Sequence, residues 1–162
     1  MHDLDNQKME DTMKNILFVS MGNICRSPLA EGILKDKIDK SNKIATVDSA
    51  GFESFNINEP PQIKTIEFAK KKGLDISKIK CRLFADKDFD IFDEIYVMDS
   101  GSYRECQYFS RDEKDMEKVK YLMTVTSKPN KTVPNPNYFS EGGLEKTYKM
   151  LDEACDLIID SI

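Results

Sequence analysis

Residues 15–28 read Asn-Ile-Leu-Phe-Val-Ser-Met-Gly-Asn-Ile-Cys-Arg-Ser-Pro and set the architecture of the chain. The first five form a short apolar run of strand-forming residues, which predicts a β-strand over 15–19. Gly22 and Asn23 then predict a turn, because both adopt backbone angles that other residues avoid. Ser27 is typical of a helix N-cap and Pro28 of a first helical position. The predicted order is strand, tight loop, helix.

A loop of this kind points successive backbone N–H groups toward the start of the following helix. That arrangement binds anions, and phosphate is the usual occupant. Arg26 lies at the rim and can hold two phosphate oxygens with its guanidinium group. The same order of elements also fits an ordinary turn between a strand and a helix with a surface arginine. The pattern alone leaves both interpretations open.

The bulk properties exclude several classes of protein. A chain of 162 residues suits one domain with a sizeable core, and its formal net charge of −5 disfavours non-specific binding to nucleic acids or anionic membranes. No apolar run is long enough to span a membrane, and the N-terminus lacks the pattern of a secretory signal. The four cysteines have no C-x-x-C spacing and the chain has a single histidine, so we expect neither a metal nor another cofactor. Reduced thiols favour the cytoplasm.

The rest of the chain alternates between strand and helix patterns. Residues 1–13 are polar and aperiodic, which predicts a disordered extension, or one that was added to the natural chain, ahead of a domain over 14–162. The charged run at 111–120 predicts a solvated surface. Further strands are predicted at 44–47, 93–98 and 118–123, and helices at 28–39, 61–72, 101–109 and 142–162, the third of these capped by Asp99.

Residues 20–28, Ser-Met-Gly-Asn-Ile-Cys-Arg-Ser-Pro, resemble the phosphate loop of the low-molecular-weight protein tyrosine phosphatases. The family pattern is Cys, five residues, Arg, then Ser or Thr, and this chain has Ser20 where the family has its nucleophilic cysteine. A second stretch, Val-Pro-Asn-Pro-Asn-Tyr at 133–138, resembles the family's Val-Pro-Asp-Pro-Tyr-Tyr, in which the aspartate is the general acid. Asn135 occupies that position, Asn137 replaces the first aromatic residue and Tyr138 keeps the second. The resemblance covers essentially the whole domain.

The resemblance implies an α/β fold of the Rossmann-like, phosphotyrosine phosphatase I type, with a four-stranded parallel sheet and helices on both faces. It also implies that Ser49 supports the loop through a bond to Asn23, and that Ile79, in place of a family histidine, rearranges this supporting network. The implied phosphate-binding residues are Met21, Gly22, Asn23, Ile24, Cys25 and Arg26. The implied loop supports are Asn23, Ser27 and Ser49, and the implied substrate slot is Ile24, Phe55, Asn137 and Tyr138.

In the family, a thiolate attacks phosphorus, the aspartate protonates the leaving phenol oxygen, and water then hydrolyses the cysteinyl phosphate. Ser20 removes the attacking thiolate, and the domain contains no histidine to deprotonate a serine. Asn135 cannot transfer a proton. The catalytic positions are therefore Ser20, Arg26 and Asn135, in a chain expected to bind phosphate with little turnover. It is either an inactive or substrate-trapping form of a protein tyrosine phosphatase or a natural pseudophosphatase that binds phosphorylated partners.

Ile24 favours a phosphotyrosine protein or an aryl phosphate over phosphoarginine, because the family's tyrosine phosphatases have Ile here and its arginine phosphatases have Thr. Inorganic phosphate or sulfate should occupy the same loop. An arsenate reductase on this scaffold would need two relay cysteines near the third strand, where this chain has Met98 and Asp99. A phosphotransfer component of sugar uptake would need the missing loop cysteine and has no use for the Val-Pro-x-Pro segment.

Overall fold

The computed structural model describes residues 13–128, 131–136 and 142–162. At its centre is a four-stranded sheet in the order β2-β1-β3-β4, with every pairing parallel. The prediction of a four-stranded parallel sheet is therefore confirmed. The strands are β1 (Lys14–Val19), β2 (Ala45–Ala50), β3 (Glu94–Val97) and β4 (Val119–Tyr121).

Helices cover both faces of the sheet, as predicted. On one face α1 packs against α6 and against β1 and β2, and on the other α4 and α5 contact the β3–β4 edge. Two short 3₁₀ turns, Ser54–Asn56 and Leu122–Val125, complete the connections. The helices are α1 (Arg26–Ser41), α2 (Ile63–Lys71), α3 (Asp88–Ile91), α4 (Ser100–Phe109), α5 (Glu113–Glu117) and α6 (Gly143–Asp160).

Strand β1 is central because it is apolar on both faces. Ile16 and Phe18 belong to the core beneath α1 and α6. Leu17 and Val19 belong to the opposite core, which includes Phe89. Alternate side chains of a strand point to opposite faces, so one uninterrupted apolar run supplies both cores.

Most ends of the predicted elements shift by one to three residues, and two of these shifts have a clear physical reason. Helix α1 begins at Arg26 and its N-cap is Cys25, whose side chain makes no capping hydrogen bond, so the prediction of Ser27 as N-cap is wrong. Strand β2 runs on to Ala50, because the backbone of Asp48-Ser49-Ala50 pairs in register with the last three residues of β1. Asp99 is the N-cap of α4, as predicted, and accepts a hydrogen bond from the Ser102 amide at 2.8 Å.

The charged run at 111–120 is mostly exposed, as predicted, but part of it is an ordered helix. It contains α5, which Asp112 caps by accepting from the Asp115 amide at 3.0 Å. The Asp115 carboxylate is buried and pairs with Arg111 at 3.0 Å. Charge composition alone did not predict this helix, because the stabilising roles of Asp112 as its cap and of Asp115 as the partner of Arg111 depend on position and not on charge.

No helix within the described ranges combines the length and the apolar character needed to cross a membrane. Residues 1–12 lie outside the described residues, so the predicted extension and its boundary stay predictions.

Candidate functional site

The anion loop, defined here as residues 20–25, leaves the carboxyl end of β1 in the middle of the sheet. Strands β2 and β3 flank β1 on opposite sides, so the chain connections diverge at this point. Ligands of open α/β sheets bind in the crevice that such a divergence creates. The Ser20 amide donates to the Ala50 carbonyl at 3.3 Å, which anchors the start of the loop to β2.

The backbone of the anion loop turns its carbonyl groups outward. The Met21 carbonyl accepts from the Phe52 amide at 2.7 Å, and the Ile24 carbonyl accepts from the Gln62 amide at 2.9 Å. The Asn23 carbonyl accepts from the Cys81 thiol at 2.7 Å. The described chain has no cis peptide bonds, and in a trans peptide the C=O and the following N–H point in opposite directions. The next amides along the loop therefore face inward, where an oxyanion would accept their hydrogen bonds.

Burial raises the pKa of the Cys81 thiol, so this group stays protonated and remains a donor to the loop. Sequence reasoning missed this support. The contact joins positions 58 residues apart and depends only on how the loop after α2 folds against the anion loop.

Asn23 fixes the shape of the anion loop. Its backbone has a φ of 55°, which asparagine tolerates better than most residues. Its side-chain oxygen accepts from the Arg82 amide at 3.0 Å, and its side-chain nitrogen donates to Ser27 Oγ at 2.9 Å. Because the Arg82 amide can only donate, this contact also settles which atom of the Asn23 amide is oxygen. Of the two residues predicted to adopt unusual angles, only Asn23 does so, since Gly22 is not among the residues with positive φ.

Gly22 and Gly51 are instead places of close approach. A Cβ built on Gly51 would lie 2.9 Å from the Asn23 nitrogen and 2.9 Å from the Met21 oxygen. A Cβ on Gly22 would lie 3.2 Å from Oε2 of Glu53. The anion loop is thus packed directly against the segment that follows β2.

The implied bond between Ser49 and Asn23 is wrong. The Ser49 hydroxyl donates to Oε1 of Glu31, a buried carboxylate of α1, at 2.7 Å. The supporting network is rearranged, as expected from Ile79: the side-chain nitrogen of Asn23 is bonded to Ser27 and its side-chain oxygen to the Arg82 amide. Ile79 packs against the core on the α1 side, and Ser49 supports α1 rather than the loop itself.

Arg26 is held from two directions at the start of α1. Its side chain is only 3% exposed, and its Nη1 lies 2.7 Å from Oδ2 of Asp99 and 2.7 Å from the Val133 carbonyl. Burial alone would raise the pKa of the Asp99 carboxyl, but hydrogen bonds from the Ser102 amide and from Arg26 outweigh it and hold this pKa below its ordinary value. Asp99 is therefore a carboxylate that both caps α4 and orients Arg26. Sequence reasoning found the first role and missed the second, because these partners lie 73 residues apart.

Ser20 lies at the base of the anion loop and is 2% exposed. Its Oγ is 2.7 Å from Oγ of Ser27, so the two hydroxyls share a hydrogen bond. The hydroxyl of Ser20 therefore lies beside a neutral hydroxyl, with no acid or base among its hydrogen-bond partners in the described residues.

A pocket of about 250 Å³ opens over the anion loop. Asn135 and Pro136 form part of its wall, so the Val-Pro-Asn-Pro segment lies on the same side of the molecule as the loop. Glu53 and Gln62 form another part and were not predicted, since their positions depend on the fold of the loop between β2 and α2. The lining residues are Met21, Gly22, Ile24, Cys25, Arg26, Glu53, Gln62, Asn135 and Pro136.

The predicted substrate slot is placed only in part. Ile24 lines the pocket, whereas Phe55 is 77% exposed on the 3₁₀ turn after β2 and is not among the lining residues. Asn137 and Tyr138 lie outside the described residues. The roles of these side chains in binding stay predictions.

Comparison with known proteins identifies the relatives of this site. Residues 15–162 match the family described as low molecular weight phosphotyrosine protein phosphatase. The chain is 33% identical over 156 residues to the low molecular weight protein-tyrosine-phosphatase YfkJ of Bacillus subtilis, covering 93% of this chain and 96% of that protein. The crystal structure of YfkJ matches with a TM-score of 0.85 at 30% identity, over 93% of this chain and 95% of that one.

Two further solved structures bear on the choice of ligand. An arginine phosphatase of Drosophila matches with a TM-score of 0.83 at 31% identity, over 92% of this chain and 97% of that one. Wzb of Vibrio vulnificus, in complex with benzylphosphonate, matches with a TM-score of 0.78 at 26% identity, over 93% of this chain and 99% of that one.

Proposed function

Because the chain belongs to the family of low molecular weight phosphotyrosine protein phosphatases, we propose that it binds phosphotyrosine in the anion loop without useful turnover. The observation that carries this proposal is a buried serine hydroxyl at the base of a loop whose carbonyl groups are bonded outward and whose Arg26 is held in place by Asp99 and Val133. In this view the chain is an inactive or substrate-trapping form of a protein tyrosine phosphatase.

The attacking step fails at Ser20. A serine hydroxyl ionises far above neutral pH, and an enzyme that uses one needs a neighbouring base. The hydrogen-bond partner of Ser20 is the Ser27 hydroxyl, which in turn accepts from the Asn23 amide, and neither group takes up a proton at neutral pH. The chain's only histidine, His2, lies outside the described residues.

The protonation step fails at Asn135. Asn135 lines the pocket, and the resemblance assigns it the position of the family's general acid. An amide can donate a hydrogen bond to that oxygen but cannot give up a proton to it, and general acid catalysis is worth roughly 10²–10⁴-fold.

Binding survives these losses, and Ser20 strengthens it. Ser27 accepts from the Asn23 amide, so its own proton needs an acceptor, and Ser20 Oγ lies 2.7 Å away. Either hydroxyl can donate in this pair, and a bound oxyanion favours the arrangement in which Ser27 donates to Ser20, because the Ser20 proton can then be donated to the oxyanion. A family thiolate at this position would repel the same oxyanion, whereas the hydroxyl adds one donor to the inward amides and to Arg26.

Ile24 and the benzylphosphonate bound to Vibrio vulnificus Wzb support an aryl phosphate as the ligand. Ile24 offers an apolar contact to a phenyl ring. The arginine phosphatase of Drosophila makes phosphoarginine the natural competitor for a test. We expect O-phosphotyrosine to bind more tightly than phosphoarginine and to displace inorganic phosphate.

The test combines binding with turnover. Isothermal titration should detect inorganic phosphate and O-phosphotyrosine, while the chain releases no phosphate from an aryl phosphate. Ser20→Ala should weaken phosphate binding about tenfold, the value of one hydrogen bond to a charged group. Tight binding together with rapid turnover by the unaltered chain would disprove the proposal, as would the absence of any phosphate binding.

The same variants separate a trapping form from a natural pseudophosphatase that binds phosphorylated partners. Ser20→Cys should restore slow turnover, and adding Asn135→Asp should accelerate it by roughly 10²–10⁴-fold. If the double variant stays inactive, the chain has lost more than two groups of an active phosphatase, and the pseudophosphatase interpretation is favoured.

A further inference from the structure

Glu53 is the acidic side chain among the described residues that line the pocket. It lies in the loop after β2, and its Oε2 would be 3.2 Å from a Cβ built on Gly22. The carboxylate therefore sits at the edge of the anion loop. A negative group is unexpected at this position, because the ligand of the loop is itself an anion.

Among the residues that the structure describes, the charges around the pocket provide no counterion for Glu53. Arg26 is already paired with Asp99 at 2.7 Å, so this pair contributes no net formal charge. Within the described ranges, no lysine or arginine nitrogen comes within 4.0 Å of the Glu53 carboxylate, although the buried carboxylate of Glu31 has Lys35 at 2.5 Å. The other polar side chains of the wall, Gln62 and Asn135, are neutral amides.

We propose that Glu53 binds a lysine or arginine side chain next to the phosphotyrosine, so that the protein selects phosphotyrosine segments with a basic neighbour. The inference rests on the proposed function, since it concerns the ligand of the same pocket. A cationic side chain supplies the donors that a partly buried carboxylate accepts best. It also offsets the repulsion between Glu53 and the phosphate, and the net charge of −5 attracts basic segments at longer range.

The test uses three phosphotyrosine peptides that are identical except for one neighbouring residue, which is Lys, Ala or Glu. The unaltered chain should bind the Lys peptide about 2–5-fold more tightly than the Ala peptide, the range of a partly exposed ion pair, and the Glu peptide most weakly. The preference should shrink as the salt concentration rises from roughly 0.05 to 0.5 M, because salt screens exposed charges.

Glu53→Gln should abolish the preference, because it removes the negative charge while keeping the size of the side chain and one acceptor oxygen. Glu59→Gln is the matched control, because Glu59 is an exposed carboxylate of the same loop that does not line the pocket. It should leave the preference unchanged.

Inorganic phosphate and O-phosphotyrosine separate the two proposals, because neither carries a neighbouring side chain. If both bind but the Lys and Ala peptides bind equally, the role of Glu53 is wrong and the proposed function stands. The role of Glu53 is also wrong if Glu53→Gln increases the affinity for every ligand by the same factor, since Glu53 would then only repel anions. Failure of the peptides, O-phosphotyrosine and inorganic phosphate alike to bind overturns both.

Discussion

Replacing Asp99 by asparagine tests whether this carboxylate holds Arg26 in place. Asparagine is itself a good N-cap, so Asp99→Asn should leave α4 capped and remove only the negative charge beside Arg26. Arg26 would keep the Val133 carbonyl as its partner, but its charge would be buried with no counterion.

The size of the effect follows from the burial of the pair. Removing one member of a fully buried ion pair costs about 3–5 kcal/mol. Arg26 is 3% exposed, but the Asp99 side chain is 20% exposed, and one hydrogen bond to Arg26 survives. We therefore expect a loss of about 2–3 kcal/mol in the free energy of unfolding, which for a domain of this size lowers Tm by about 4–12 °C.

The assay is urea unfolding of the parent chain and of Asp99→Asn, with and without saturating phosphate. A bound phosphate would supply the missing negative charge next to Arg26, so the difference in stability should narrow when phosphate is present. Asp112→Asn is the control, since Asp112 also caps a helix but pairs with no arginine in the described residues. The explanation is wrong if Asp99→Asn loses no more stability than Asp112→Asn.

The same pair of proteins has a predicted pH dependence. Because the folded pKa of Asp99 lies below its ordinary value, its stabilising contribution is complete above the unfolded-state pKa of about 4 and is lost as the pH falls through the lower folded value. The difference between the parent and Asp99→Asn should therefore be constant near neutral pH and shrink below about pH 4. If the difference in the free energy of unfolding between the two proteins grows as the pH falls, Asp99 is not the stabilising carboxylate described here.

Three other substitutions test the packing and the binding site. Gly51→Ala adds a Cβ 2.9 Å from the backbone of the anion loop, so it should lower the free energy of unfolding in urea by about 1–3 kcal/mol and weaken phosphate binding. The control Gly101→Ala, whose Cβ would have its nearest neighbour at 3.5 Å, should lower neither stability nor phosphate affinity. Leu34→Ala empties a fully buried core position and should lower the free energy of unfolding by about 2–5 kcal/mol. The control Leu157→Ala, at a position that is 42% exposed, should lower it by less than about 1 kcal/mol. Similar losses for the two variants would mean that α1 does not pack as described. Arg26→Lys keeps the charge but loses the planar fork, so titration should show phosphate affinity lower by at least about tenfold, and equal affinity would rule out a special role for the guanidinium.

The architecture could be predicted because its signals are local. The apolar run at 15–19, the turn residues after it and the helical periodicity beyond it act within a few positions of one another. They correctly predicted a central strand, a loop and a helix, and the alternation along the chain is consistent with the parallel sheet that was found. The exact ends were less accurate, because Ser27 uses its hydroxyl for Ser20 and Asn23 rather than for a cap.

The supporting contacts of the site could not be read from local patterns. Asp99 and the Val133 carbonyl reach Arg26 across 73 and 107 positions, and Glu53 reaches the pocket only because the loop after β2 folds against Gly22. Chain periodicity carries no information about such pairs, since they are set by how strands and helices pack in three dimensions. The residues of the anion loop can thus be identified from the sequence alone. The partners that orient them, and the charge of the pocket, are determined only by the tertiary structure.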